Sequence, residues 1–161
     1  MKPSHLRKAG QRGSQAVELA MTMVPILAIM FLLIDLCLAI FLKATFQQAV
    51  REGVRYAVTG RTETDLGQDA SIRSVVQHFA LGFIRPVDAD ETIKIRYFRP
   101  DTLVEKTGVG SNAGGNIVEV AMEGFSWRPI AALMKSGLPV GIGARSSDLV
   151  EPCSATGCPT R

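Results

Sequence analysis

Hydrophobic and polar positions divide the chain into one continuous apolar block followed by shorter periodic segments. The block covers residues 19–42, LAMTMVPILAIMFLLIDLCLAIFL, and Asp35 is the one charged residue among its 24 positions. As an α-helix it would be about 36 Å long, enough to cross a hydrocarbon core of roughly 30 Å with some tilt. A cleaved secretory signal has a shorter apolar region, of about 7–15 residues, and a core helix would need more chain to cover it. The pattern therefore predicts a single membrane-spanning helix.

The helical pattern continues beyond the block and becomes amphipathic. Its spacing predicts one helix from about Ala16 to Thr59, about 66 Å long. Gly53 inside this helix costs about 1 kcal/mol relative to Ala, which indicates either close packing against a neighbour or a tolerated glycine with no special role. Arg51, Glu52 and Arg55 lie outside the stripe, either as a solvated face or as a contact with another subunit, and Glu52 and Arg55 are spaced to pair. The apolar stripe consists of Phe46, Ala49, Val50, Gly53, Val54, Ala57 and Val58.

The remainder of the chain reads as an α+β domain. A second helix is predicted over Asp69–Phe83, and alternating segments at 91–98 and 116–123 are predicted strands. A short helix over 128–137 and a third strand over 140–151 follow, with a glycine-rich loop between the first two strands. The element order favours a small antiparallel sheet. The stripe of the second helix consists of Ile72, Val75, Val76, Phe79 and Phe83.

The net charge of +3 is concentrated at the start of the chain. Residues 1–13 carry four basic residues and no acid, whereas residues 43–161 carry 14 Lys and Arg against 13 Asp and Glu. A nucleic-acid-binding domain should show a basic face, so this class is not favoured. A dense basic leader is typical of a cytoplasmic N-terminus, with the following domain translocated.

These observations predict four regions along the chain. Residues 1–13 form a basic cytoplasmic leader, 14–43 the transmembrane helix and 44–152 a translocated α+β domain. Residues 153–161 form a polar tail.

The three cysteines fit an exported domain. Cys37 lies in the apolar block and is expected to act as a small buried hydrophobe. Cys153 and Cys158 lie in the tail, where the favoured reading is a disulfide that closes a short loop. Free thiols are the main alternative, and a metal site is disfavoured because two cysteines without a nearby histidine do not complete a zinc site.

The junction of leader and block carries the most informative motif. Gly13 ends the leader, and Glu18 is the fifth residue after it, in RKAGQRG-SQAVE-LAMTMVP. This resembles a type IV prepilin, in which a membrane peptidase cuts after the glycine and would leave Ser14 as the new N-terminus. A glutamate at the membrane edge is costly unless it is paired or reaches water. In pilin-like assembly the resemblance implies that Glu18 meets the N-terminal amine of a neighbouring subunit.

Further segments resemble the TadE-like family of pseudopilins from the tight adherence, or Flp, pilus system. The matching segments are AVELA, Pro25, Asp35 and, most specifically, QQAVREGVRYAVTG after the apolar block. The resemblance implies a minor pseudopilin needed to assemble adhesive pili involved in cell adhesion and biofilm formation. It would be anchored in the bacterial inner membrane, with residues 44–152 as a periplasmic pilin-like domain. It also implies a set of partners: the membrane, a prepilin peptidase, a second minor pseudopilin, the major Flp pilin and an inner-membrane assembly platform.

Two residues of the apolar block have alternative readings. Pro25 removes the hydrogen bond to the carbonyl of Met21 and predicts a kink, with or without a separate role in assembly. Asp35, about 25 Å from Glu18 along the helix, either reaches water near the outer face or contacts a partner helix.

The function expected is structural. We find no catalytic constellation, no metal signature and no sign of a cofactor or a small-molecule substrate, so an enzyme is not expected. A minor pseudopilin of a type II secretion system is the alternative, as is an uncleaved single-pass membrane protein with another role. Against the type II secretion alternative, the predicted mature N-terminus SQAVE, residues 14–18, differs from the Phe-Thr-Leu-Ile-Glu start usual in pseudopilins of that system.

Overall fold

The computed structural model of the protein describes residues 9–130, 139–152 and 158–161, with side chains from residue 13 onward. Three α-helices are present in these ranges: α1 (Ala9–Val58), α2 (Gln68–Phe79) and α3 (Ala89–Thr92), the last preceded by a 3₁₀ turn. The strands are β1 (Ile93–Phe98), β2 (Ile117–Met122), β3 (Ser126–Trp127), β4 (Val140–Gly141) and β5 (Ala144–Leu149).

The described residues fall into two compact units. The first contains α1 up to Leu38 together with Arg128–Ile130, and the second contains the chain from Ala39 to Trp127 and the described residues from Pro139 onward. α1 is a continuous helix of 50 residues that contributes to both units. This agrees with the helix predicted from the apolar block and the amphipathic pattern that follows it.

The sheet of the second unit has three antiparallel strands in the order β1-β2-β5. In the register, Ile95 pairs with Val120, and Val120 pairs with Ser146. The alternation predicted for the first two strands is confirmed, because Ile93 and Tyr97 in β1 and Val118 and Val120 in β2 are buried. The α+β class with a small antiparallel sheet is therefore confirmed.

The predicted strand over 140–151 is two strands that belong to different sheets. β4 pairs with β3, whereas β5 pairs with β2. The chain crosses between them at Ile142, whose N–H donates to the carbonyl of Phe125 at 2.9 Å, and at Gly143. A Cβ at Gly143 would lie 3.0 Å from the carbonyl oxygen of Met122, so glycine allows this close crossing.

The second helix ends four residues earlier than predicted. Leu81 and Gly82 have φ values of 54° and 78°, in the left-handed region that terminates a helix. Phe83 therefore lies beyond the helix, although it was predicted to belong to its stripe. The short helix predicted over 128–137 falls mostly outside the described residues.

The core of the second unit lies between the amphipathic part of α1, the helix α2 and one face of the sheet. The predicted stripe of α1 is confirmed, with Val58 partly buried and its other members buried. At Gly53, α1 approaches its neighbours closely, because a Cβ there would overlap the Cγ2 of Val76 in α2 and lie 3.5 Å from the Cγ1 of Val120 in β2. The glycine is required by packing within the chain.

Candidate assembly site on the N-terminal helix

The first part of α1 presents apolar side chains to its surroundings in every direction. From Val17 to Phe41, every large apolar side chain is exposed, including Met21 at 75%. Among the described residues, one helix, Gly13–Val58, is long and apolar enough to cross a membrane. An apolar surface of this extent is not stable in water, so it fits a single-pass membrane protein.

The three residues of the predicted processing motif lie on this helix. Gly13, Ser14 and Glu18 are all helical and exposed. Ser14 and Glu18 are four residues apart and therefore share one face of the helix. One turn further on, the hydroxyl of Thr22 donates to the carbonyl of Glu18 at 3.2 Å. The Glu18 side chain is thus displayed next to the predicted new N-terminus, where a neighbouring subunit could contact both.

Pro25 lies within α1 without ending it. It lines a shallow apolar groove that includes two alanines, and small residues of this kind let a second helix approach closely in a membrane. The groove is lined by Ala16, Val17, Ala20, Met21, Val24 and Pro25.

Asp35 is not at a water-facing position. Its side chain is buried, with 1% exposure, and its Oδ1 accepts a hydrogen bond from the backbone N–H of Ile130 at 2.8 Å. A carboxylate in an apolar helix is costly unless it has partners, and this backbone donor lies within the same unit. The burial of Asp35 contradicts the reading in which it reaches water, whereas a contact with a partner helix stays a prediction.

The three predicted contact residues of the second part of α1 differ in exposure. Arg51 and Arg55 are exposed, while Glu52 is partly buried and accepts a hydrogen bond from Gln48 Nε2 at 3.2 Å. Among the ion pairs of the described residues, none joins Glu52 to Arg55. Instead, Glu52 and Arg55 line a groove between α1 and α2 that Phe79 also borders.

The cysteines differ in state. Cys37 is free and exposed on α1, whereas the prediction was a buried hydrophobe; its large apolar neighbours in the first part of the helix are exposed as well. Cys158 is disulfide-bonded. Cys153, its predicted partner, lies outside the described residues, so the pairing stays a prediction. Within the described part of the chain, no group of three or more His, Cys, Asp or Glu side chains could hold a metal ion.

A polar cluster at the start of α2 was not found from the sequence. Arg161 donates to Asp69 Oδ2 through Nε at 3.0 Å and Nη2 at 2.7 Å, and its guanidinium lies 4.8 Å from the centre of the Tyr97 ring. The Tyr97 hydroxyl donates to the other oxygen of Asp69 at 3.2 Å. Burial, together with the negative charge of Asp69, raises the pKa of Tyr97 above its usual value. These residues lie far apart in the chain, and no local pattern signals their contact.

A second ionic cluster lies at the strands β1 and β2. Arg96 pairs with Glu123 through two parallel hydrogen bonds, at 2.9 and 3.0 Å, and with Glu119, its cross-strand neighbour, at 3.3 Å. The hydrogen bond from Arg96 lowers the pKa of Glu123, and the same contact raises the pKa of Arg96. The cluster ties the two strands together on the face of the sheet opposite Val120.

In the comparisons with known proteins, the match falls on the N-terminal helix. No curated protein and no solved structure matches the chain. A family model described as TadE-like protein matches residues 13–55. The matched region begins at Gly13, includes the exposed apolar part of α1 and ends within its buried amphipathic part, at Arg55. The resemblance to the TadE-like family that the sequence predicts is therefore confirmed, over the segment that carries Glu18, Pro25, Asp35 and Gly53.

Proposed function

We propose that the protein is a minor pseudopilin of a Tad, or Flp, pilus assembly system. In this proposal it acts as a structural subunit without enzymatic activity. α1 anchors it in the bacterial inner membrane, with the leader in the cytoplasm and the folded domain in the periplasm. The observation that carries the proposal is the TadE-like match to residues 13–55, which covers the exposed apolar part of α1 together with Glu18.

The uncovered surface of α1 supports assembly through helix packing. In the bilayer, lipid covers this surface, and in an assembly the helices of other subunits take the place of lipid. The apolar groove around Pro25, with Ala16 and Ala20 in its lining, offers a surface on which such a helix can lie closely. The partners proposed are a second minor pseudopilin, the major pilin and the membrane assembly platform.

The exposure of Glu18 supports processing and pairing. Cleavage after Gly13 by a prepilin peptidase would create an amine at Ser14, on the same helical face as the Glu18 carboxylate. A carboxylate at the edge of a bilayer gains from such a cationic partner. When one partner of a buried charge pair is removed, about 3–5 kcal/mol is lost, which is enough to disfavour addition of the subunit.

The proposal is tested in a strain that makes the pili. The intact mass of the membrane-extracted protein, measured with and without the peptidase gene, should show a peptidase-dependent loss that matches residues 1–13. The Glu18→Ala variant should stay in the membrane fraction and abolish the sheared pili. Glu151→Ala, the same substitution at an exposed position of the folded domain, should leave pili normal.

Two outcomes would contradict parts of this proposal. Full-length protein in both strains would remove processing and, with it, the partner amine of Glu18. Normal pili from the Glu18→Ala variant would rule out the paired carboxylate as the basis of assembly. If deleting the whole gene leaves pilus number unchanged, the pilus function itself is wrong.

A further inference from the structure

The loop between α2 and α3, residues 81–87, displays apolar side chains that the fold does not bury. Leu81 is 66% exposed, Phe83 41% and Val87 80%. Leu81 also adopts a left-handed backbone conformation, with φ 54°, which is unfavourable for a residue with a Cβ. A left-handed backbone conformation at a residue with a Cβ, next to several exposed apolar side chains in one loop, makes this loop a candidate contact surface.

Two aromatic contacts fix the level of this loop along α1. The Phe83 ring packs edge-on against both Phe41 and Phe46, with ring centres 6.4 Å apart in each case. Phe46 is fully buried in the core of the second unit. Phe83 is therefore held beside the stretch of α1 between residues 41 and 46.

That stretch is where the apolar block of α1 ends. Phe41 lies about 33 Å along the helix from Leu19, which is close to the thickness of a bilayer's hydrocarbon core, about 30 Å. Phe46 lies about 7.5 Å further on, and the polar interfacial zone on each side of a bilayer is roughly 5–7 Å deep. Phe83 thus falls within the interfacial zone if α1 spans the membrane.

We infer that the loop 81–87 inserts Leu81, Phe83 and Val87 into the interfacial zone of the bilayer, on the side of the folded domain. The inference rests on the proposed placement of α1 across a membrane. Aromatic rings at this depth are typical of membrane-interface anchors. The loop then fixes the depth and rotation of the folded domain at the bilayer surface.

The charges around the loop agree with a lipid surface. Lys43 is exposed two residues after Phe41, and its long side chain can reach the phosphate level. The nearby acids are largely neutralised by ion pairs: Asp88 contacts Arg85 at 2.7 Å, and Asp90 contacts Arg73 at 3.3 Å. Of the acidic residues 88, 90 and 91, which follow the loop, Glu91 is exposed and is in none of these ion pairs.

Quenching of tryptophan emission by brominated lipid tests this inference. The full chain is reconstituted in phosphatidylcholine vesicles, either unbrominated or brominated near the glycerol end of the acyl chains. The background is Trp127→Phe, which removes the chain's one tryptophan. Val87→Trp should lose emission in the brominated vesicles. Leu81→Trp provides a second reporter should the first variant fail to fold.

Val109→Trp is the matched control. Val109 is fully exposed and lines a surface with Asp69, at the start of α2, whereas the loop follows the end of this helix. Its emission should be the same in both kinds of vesicle. Leu33→Trp, in the middle of the apolar block, should be quenched when the bromines lie near the ends of the acyl chains.

The outcomes separate the inference from the proposal on which it rests. If Leu33→Trp is quenched and both loop variants behave like Val109→Trp, the loop lies in water and the inference is overturned. If the loop variants show blue-shifted emission without quenching, a protein surface covers them, and the inference is again wrong. If Leu33→Trp is not quenched, α1 does not span the bilayer and the proposed function loses its membrane anchor as well.

Discussion

Gly53 offers a quantitative test of how α1 packs onto the folded domain. A Cβ at this position would overlap Cγ2 of Val76, a fully buried and β-branched residue whose side chain has little freedom to rotate. Overpacking a core costs about 1–3 kcal/mol, and replacing a helical glycine by alanine regains about 1 kcal/mol. The Gly53→Ala variant should therefore lose up to about 2 kcal/mol of the free energy of unfolding.

A double-mutant cycle with Val76→Ala isolates this contact. Val76→Ala alone removes two methyl groups from the core and should cost about 2 kcal/mol. In the double variant, the new methyl at position 53 enters the space that Val76 has left. The double variant should thus be more stable than the sum of the two losses, with a coupling energy of about 0.5–3 kcal/mol.

The cycle is measured by urea unfolding of the full chain in detergent micelles, followed by the emission of Trp127, which packs against the core. Arg51→Ala, on the exposed face of the same helix, should change the free energy of unfolding by less than about 0.5 kcal/mol. If Gly53→Ala is as stable as the parent and the cycle is additive, α1 has room at this position and the packing argument is refuted.

Two shorter predictions concern the charged side chains. Arg96 lowers the pKa of Glu123 in the folded protein. The ionised Glu123 carboxylate therefore stabilises the fold at pH values above the ordinary pKa of a glutamate, about 4.3. This stabilisation is lost as the pH falls through the lower pKa of the folded state. Glu123→Gln should reduce the free energy of unfolding at pH 7 by less than about 1 kcal/mol, because the ion pair with Arg96 is partly exposed. If the difference in free energy of unfolding between this variant and the parent is the same in acid as at pH 7, the argument is wrong. Asp35→Ala removes the acceptor of the Ile130 N–H, a bond worth about 1.5–3 kcal/mol, so hydrogen exchange at this amide should become about 10–150-fold faster. Asp35→Asn keeps an acceptor and should have a smaller effect, and unchanged exchange in both variants would show that the bond does not hold this segment.

Local periodicity was enough to predict the main helix and the first two strands. α1 keeps its apolar spacing at three and four residues through Ala57, and each turn of a helix depends on neighbours in sequence. The same reasoning gave the alternation in β1 and β2. The TadE-like resemblance could also be predicted, because it consists of residues at short fixed spacings. The processing motif stays a prediction.

Features set by distant contacts could not be predicted. Asp35 and Ile130 are 95 residues apart, and Asp69 and Arg161 are 92 apart, so no window of sequence contains either pair. The early end of α2 was missed because the apolar spacing continues through Phe83, while the backbone already turns at Leu81. Phe83 is apolar for a different reason from the one predicted: it packs against Phe41 and Phe46 from a loop.

The change in burial along α1 explains why one helix can serve both as an anchor and as part of a domain. Up to Phe41 its large apolar side chains are exposed, and from Leu42 onward its apolar stripe is buried. Asp35, close to this change, satisfies its carboxylate within the first unit, while Gly53 allows close packing within the second. In the proposed function, in which other helices replace lipid on assembly, the first surface is used without exposing the core that the second surface completes. Substitutions at Glu18 and at Gly53 should consequently affect different properties, pilus formation and domain stability, although both lie within the matched segment 13–55.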